Sequence, residues 1–405
     1  MRGWIPPLLM ALGIAAFGAS WVALAAVARD GTFGASGPAL AWVHLVALGW
    51  ITTIALAVLL HAVPGFLDVD WSGPSAIVAR ACSAVFPFAA LGLVAGFLFA
   101  SPATLAIAGS VVLAAIAAYV AAVFAPLHAA MGGDGVRRAV ARAFAATLCL
   151  LVLTAILGVT FAYALDGIAP PTMLAGAPQA HALLGIGGWL TLLVAGVSAR
   201  TMGPIAGARP RFRALHVGAS SALLAGTLVA AAGAWMANAP ALFTGCALLT
   251  AGALAYAADV ADVLRRATVP HRAPQAFMAF AALWAVVATL LLFAGAADAS
   301  HASAAVYAAL IGWIGGAVLA HVHHIGVRVL LTSVRGEEDE TRPWRVLAPP
   351  LTWITFGAYQ AAAVLGTAGA YLGDGRAIAF AAGAGLLAFA ALALNGARAV
   401  ALARA

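Results

Sequence analysis

Apolar residues dominate the chain in long runs, and the polar or Gly/Pro-rich breaks between them come at intervals of about one bilayer crossing. A hydrocarbon core about 30 Å thick needs roughly 20 apolar residues per helix. On that measure the pattern predicts twelve transmembrane helices, near 5-28, 39-64, 76-100, 103-126, 138-165, 179-203, 214-236, 240-262, 275-297, 301-332, 347-372 and 376-402. The stretch MRGWIPPLLMALGIAAFGASWVALAAVA is long enough to stay as the first span rather than be cleaved as a signal. No soluble domain is predicted, because the longest polar segment is SVRGEEDETRPW, from Ser333 to Trp344. The four acids within it, residues 337–340, read as a solvated loop.

Composition supports the same reading. Of 405 residues 65% are hydrophobic and 8% charged, with a mean hydropathy of +1.05, far outside the soluble range. The expected fold is an all-α integral membrane protein. All twenty basic residues are arginine. With twelve helices and a cytoplasmic N-terminus, eighteen fall in cytoplasmic segments and only Arg29 and Arg376 outside, as the positive-inside rule requires. The net charge of +7 therefore expresses topology and contact with anionic lipid, and nucleic-acid binding is not expected. Cys82, Cys149 and Cys246 are isolated within spans and read as small packing residues. A multi-pass protein of a bacterial inner membrane, with both termini cytoplasmic, is expected.

A repeat organises the spans. The second contains GWITTIALAVLLH, the sixth GWLTLLVAGVSAR and the tenth GWIGGAVLAHVHH, each ending in a basic or imidazole side chain eleven residues after the Trp. Trp50, Trp189 and Trp313 are 139 and 124 residues apart, so the twelve helices parse as three pseudo-symmetric units of four.

The same three spans carry histidines in two layers. His44, His181 and His301 lie toward the outer ends; His61, Arg200 and the group His321, His323 and His324 lie toward the inner ends. Along a helix His44 and His61 are roughly 25 Å apart, so they belong to different sites. Ionisable groups within a membrane tend to face the bundle interior, and imidazole can stay neutral while binding Fe, Cu or Zn through one nitrogen. His321 and His324 share a helical face and could hold one metal with His61 as a third ligand, while His323 points elsewhere. His128, His216 and His271 read as helix-boundary residues. Asp259 and Asp262 read as partners of Arg265 and Arg266 at helical spacing.

Three four-helix units with histidines on helices two, six and ten resemble the catalytic subunit (subunit I) of the haem-copper oxidase superfamily. The compact length and the segment HALLGIGGWLTLLVAGVSART, from His181 to Thr201, look more like the small NnrS-type relatives linked to nitric oxide metabolism. The resemblance implies a b-type haem held by His44 and His301, with His181 in the place of a helix-six metal ligand such as one for copper. The chain departs from the family pattern at several points. Helix seven offers only His216 where the family has an adjacent histidine pair, helix ten offers His301 alone at its outer end, and residue 185 is Gly where some oxidases have a tyrosine. Lysine is absent and glutamate is confined to positions 337, 338 and 340, so proton pumping is not expected. The leading expectation is a non-pumping membrane haem protein, with copper as a second metal, in electron transfer or in chemistry on a small gas such as NO or O2. The alternatives are a copper or small-solute transporter, with breaks at Gly185, Gly187, Gly188, Gly312, Gly315 and Gly316, and a protein that relays or senses haem or copper.

Overall fold

The computed structural model describes residues 4–30, 33–34, 36–69, 71–133, 135–168, 176–297, 301–335 and 343–404. Arg2, Arg342 and the acidic residues 337–340 lie outside them. The long helices are α1 (Ile5–Asp30), α2 (Gly37–Leu67), α3 (Gly73–Leu98), α4 (Pro102–Met131), α5 (Gly135–Leu165), α6 (Ala177–Ala206), α7 (Arg213–Trp235), α8 (Ala239–Arg265), α9 (Arg272–Ala297), α10 (Ala302–Thr332), α11 (Pro349–Leu372) and α12 (Gly375–Arg404). There is no strand among the described residues. The protein is all-helical and multi-pass, with eleven of these helices long and apolar enough to cross a membrane.

The helix missing from that set is α11. At 24 residues it is long enough, but Pro349, Pro350, Gln360 and three threonines dilute its apolar character. Those polar groups are turned to the protein. Asn395 on α12 donates to the Thr352 hydroxyl at 2.9 Å and accepts from the Ala348 amide at 2.7 Å, and Gln360 accepts from the Trp284 indole at 3.1 Å.

Several helices start with the same local device. Ser36, Ser101 and Asn238 accept a backbone N–H three residues on, ahead of a proline in the first turn of α2, α4 and α8. Neighbours in sequence pack as neighbours in space, and α1 closes against α12. Within this ring α2, α6 and α10 are the central elements. Their most apolar windows are 72%, 67% and 78% buried, against 33–44% for the other spans. The three helices singled out by the repeat are therefore those most shielded from lipid.

These central helices are continuous but not uniformly wound. Each opens into a π-helical stretch, Leu45–Thr52, Leu183–Leu190 and Ala308–Gly315, and each stretch contains the Gly-Trp pair of its repeat. The expected breaks at Gly185, Gly187, Gly188, Gly312 and Gly315 are instead wide turns with unbroken backbone hydrogen bonding, and Gly316 resumes the α-helix. A π-turn offers its carbonyl to the residue five positions on, and the Thr52 and Thr53 hydroxyls take up the Ala47 and Leu48 carbonyls in that pattern at 2.7 and 2.9 Å. α10 has a second such stretch, Val322–Gly326, which holds His323 and His324.

Candidate functional site

The Gly-Trp pairs form a pinwheel at the centre of the bundle. Trp189 donates its indole N–H to the Thr52 hydroxyl at 3.0 Å, and Trp313 donates to Thr191 at 3.1 Å. Thr52 and Thr191 each stand two residues after the tryptophan of their own helix, so each link runs from one repeat unit to the preceding one. The third link is absent because the matching position is Gly315. A Cβ there would lie 2.8 Å from the Trp50 ring and closer still to the Tyr359 hydroxyl, which donates to the Ile311 carbonyl at 2.6 Å. The Trp50 indole N–H is buried without a partner.

Beside this ring, on the side of His61 and His321, lies a cavity of about 60 Å3. Its wall follows the repeat: Ile51, Leu190 and Ile314 follow the tryptophans directly, and Val58, Val197 and His321 lie eight residues after them. Room on this scale suits a few waters or a small gas molecule, and the lining is aliphatic except for His321. A second cavity, of about 200 Å3, lies among α6 to α10 against Gly187, Tyr256, Ala285, Ala305 and Trp313, and no histidine lines it.

In the outer layer, the structure brings His44 and His181 together. Their ring centres are 6.2 Å apart, with planes inclined by 22°. Each is oriented from its Nδ1 side: His44 donates to the Leu40 carbonyl at 2.8 Å and His181 to the Thr154 carbonyl of α5 at 2.9 Å. A carbonyl can only accept, so Nδ1 carries the proton, and Nε2 of the neutral ring is left with its lone pair. Phe97 stacks on His44 at 4.6 Å, and Gly158 makes the space for His181, since a Cβ there would meet its Cε1 at 2.9 Å.

His301 sits elsewhere. It precedes Trp313 by twelve residues, whereas His44 precedes Trp50 by six, an offset of roughly 9 Å along the axis. Tyr307 occupies the position matching His44, and its ring stacks on Trp42 at 5.3 Å. His301 lies beyond, with Nε2 on the Tyr371 hydroxyl at 3.2 Å. The three outer histidines are thus not at one depth.

The inner layer also differs from the trio expected from spacing. His321 has both nitrogens engaged, Nδ1 with the Ala317 carbonyl at 2.6 Å and Nε2 with the Thr201 hydroxyl at 2.7 Å. His61 is exposed, and no three His, Cys, Asp or Glu side chains among the described residues are placed to hold one metal. His323 and His324 are the buried ones. His323 donates from Nδ1 to the Leu319 carbonyl at 2.8 Å, packs on Phe277 and has no partner for Nε2, while neither nitrogen of His324 is partnered. Both rings lie in the wide turn at Val322–Gly326. His271, between α8 and α9, joins this group; burial and the neighbouring His323 push its pKa down to about 4. Arg200 donates to the Phe66 carbonyl at 3.1 Å.

His216 has a role that its boundary position did not reveal. It bonds the carboxylate of buried Asp259 at 2.9 Å, leaving only Asp262 for Arg266. No family model matches the chain, and no curated protein matches it.

Proposed function

We propose that the protein is a membrane metalloprotein, related to the haem-copper oxidase catalytic subunits but non-pumping, with α11 as a twelfth span. A histidine-bound transition metal, haem iron or copper, serves electron transfer or chemistry on a small gas such as NO or O2. The observation that supports it is the state of the imidazoles. His44, His181 and His323, one on each central helix, are held through Nδ1 by a backbone carbonyl with Nε2 unused. That is how metal-binding histidines are oriented. The gas-sized aliphatic cavity beside the tryptophan ring suits an apolar substrate. Apart from the Met10 thioether and His321, whose two nitrogens are both engaged, this lining is aliphatic and offers little to a bare ion in transit, which disfavours a copper transporter.

Haem and copper make different demands. A haem needs an iron ligand beside room for a porphyrin. The roomier cavity has no imidazole in its wall, and the imidazoles with an unused nitrogen are packed against Phe97, Gly158 and Phe277. The residues present fit a bare ion better than a macrocycle, and haem b rests on the family resemblance, which assigns it to His44 and His301.

The test is an absorption spectrum of the purified protein, oxidised and dithionite-reduced, with metal analysis on the same sample. A reduced haem band or stoichiometric copper is expected. A colourless, metal-free protein that takes up neither haem nor copper ends this reading.

A further inference from the structure

We infer that His44 and His181 together form a two-coordinate site for a soft monovalent metal ion, Cu(I), held between their Nε2 atoms. The inference rests on the metalloprotein reading and departs from the haem-copper pattern, in which these helices serve two different centres.

Spacing comes first. A metal–imidazole bond of about 2 Å puts two ring centres about 6 Å apart when the bonds run nearly in line, and about 5 Å apart at a tetrahedral angle. The observed 6.2 Å matches the linear case. Both rings are half-buried, and neither Nε2 has a hydrogen-bond partner among the described residues.

Ligand number and charge then select the ion. Among the described residues no group of three His, Cys, Asp or Glu is placed to bind one metal, so the site offers two imidazoles and no third ligand of those types there. Zn(II) takes four ligands, whereas d10 Cu(I) accepts two nitrogens in line. The site contributes two neutral donors and no carboxylate, so all the charge of the ion stays uncompensated in a poorly polar surrounding. One positive charge is tolerated there far better than two. His323 and His324 are not part of this site: they lie in the inner layer on α10, where their unpartnered nitrogens are buried.

Thr154 and Gly158 complete the site from α5. The Thr154 carbonyl fixes the His181 tautomer, and the bare Gly158 backbone leaves the ring its place. Loss of such support costs metal sites 10–100-fold in affinity.

The experiment is an anaerobic Cu(I) titration of the full-length protein in detergent against a chromogenic Cu(I) chelator, with X-ray absorption at the copper edge and Ag(I) as a redox-inert competitor. One equivalent with two nitrogen ligands in line is expected. His44→Ala and His181→Ala should each weaken it more than about 100-fold, Gly158→Val about 10–100-fold with both ligands present, and His128→Ala should leave it unchanged. Cu(I) affinity in either alanine variant equal to that of the unaltered protein, or an edge spectrum of three or four ligands, overturns the site. If the protein instead carries a haem band that disappears in His44→Ala, the site falls while the metalloprotein reading stands; if neither haem nor Cu(I) binds, both fall. Should the alanine variants not fold, the edge spectrum and Ag(I) competition on the unaltered protein decide alone.

Discussion

The Trp189 indole donates to the Thr52 hydroxyl at 3.0 Å, joining α6 to α2 through two residues 137 positions apart. Trp313 repeats the bond to Thr191, and Gly315 ends the cycle by giving its place to Trp50 and Tyr359. Three copies of one motif thus make two polar links and one close packing contact. The three repeats share one π-helical form around the Gly-Trp pair and differ in the bonds they make there.

Removing either acceptor leaves a buried indole N–H unsatisfied. Thr52→Val and Thr191→Val are each expected to destabilise the bundle by about 1 kcal/mol, the scale of one buried hydrogen bond. Thr52→Val combined with Trp189→Phe should cost less than the sum of the two single changes. Reversible unfolding in mixed micelles measures both.

The glycine arm predicts the opposite sensitivity. Gly315→Ala forces a methyl against Tyr359 and Trp50, and overpacking of this kind costs about 1–3 kcal/mol. Tyr359→Phe in the same chain should recover part of that loss, because the hydroxyl is the nearest obstacle. A double mutant no more stable than Gly315→Ala alone would show that the Trp50 ring sets the limit.

At the His216–Asp259 pair, His216→Ala strips a buried carboxylate of its hydrogen-bond partner at 2.9 Å, and leaving a buried acceptor unsatisfied costs about 1–3 kcal/mol. Asp259→Asn keeps a hydrogen-bonding group in place and should be the milder change. Thermal unfolding of the two variants, compared at one pH, checks the order.

His271 makes stability depend on pH. Its folded pKa is about 4, below the ordinary value of 6.5, so between those two pH values the unfolded chain binds the proton and the folded one does not. Stability from this group is full above pH about 6.5 and is lost as the pH falls toward about 4, below which no further loss accrues. His271→Phe should flatten that part of the profile of melting temperature against pH.

The repeat was legible because a basic or imidazole side chain keeps one phase after each tryptophan, and equal phase along a helix means equal height. The outer histidines were not held to that test. His301 was grouped with His44 and His181 by its nearness to a helix end, yet counted from Trp313 it lies six residues too far out. At the inner end the sharing of one face by His321 and His324 assumed 3.6 residues per turn, and the chain there winds as a π-turn over Val322–Gly326. The threonine that takes up His321's Nε2, Thr201, is 120 residues away and leaves no local sign.

The sequence by itself determined the solvent of this protein, its helical content and which three helices are special. These follow from terms summed along a single segment: apolar length against bilayer thickness, and arginine placement against membrane potential and lipid charge. Only the tertiary structure decided which imidazole faces which, that Asp259 answers to His216 rather than to an arginine on its own helix, and that the glycines widen helices rather than break them. Those outcomes depend on contacts between segments more than twenty residues apart, where one methyl group at Gly158 or Gly315 settles who occupies the space.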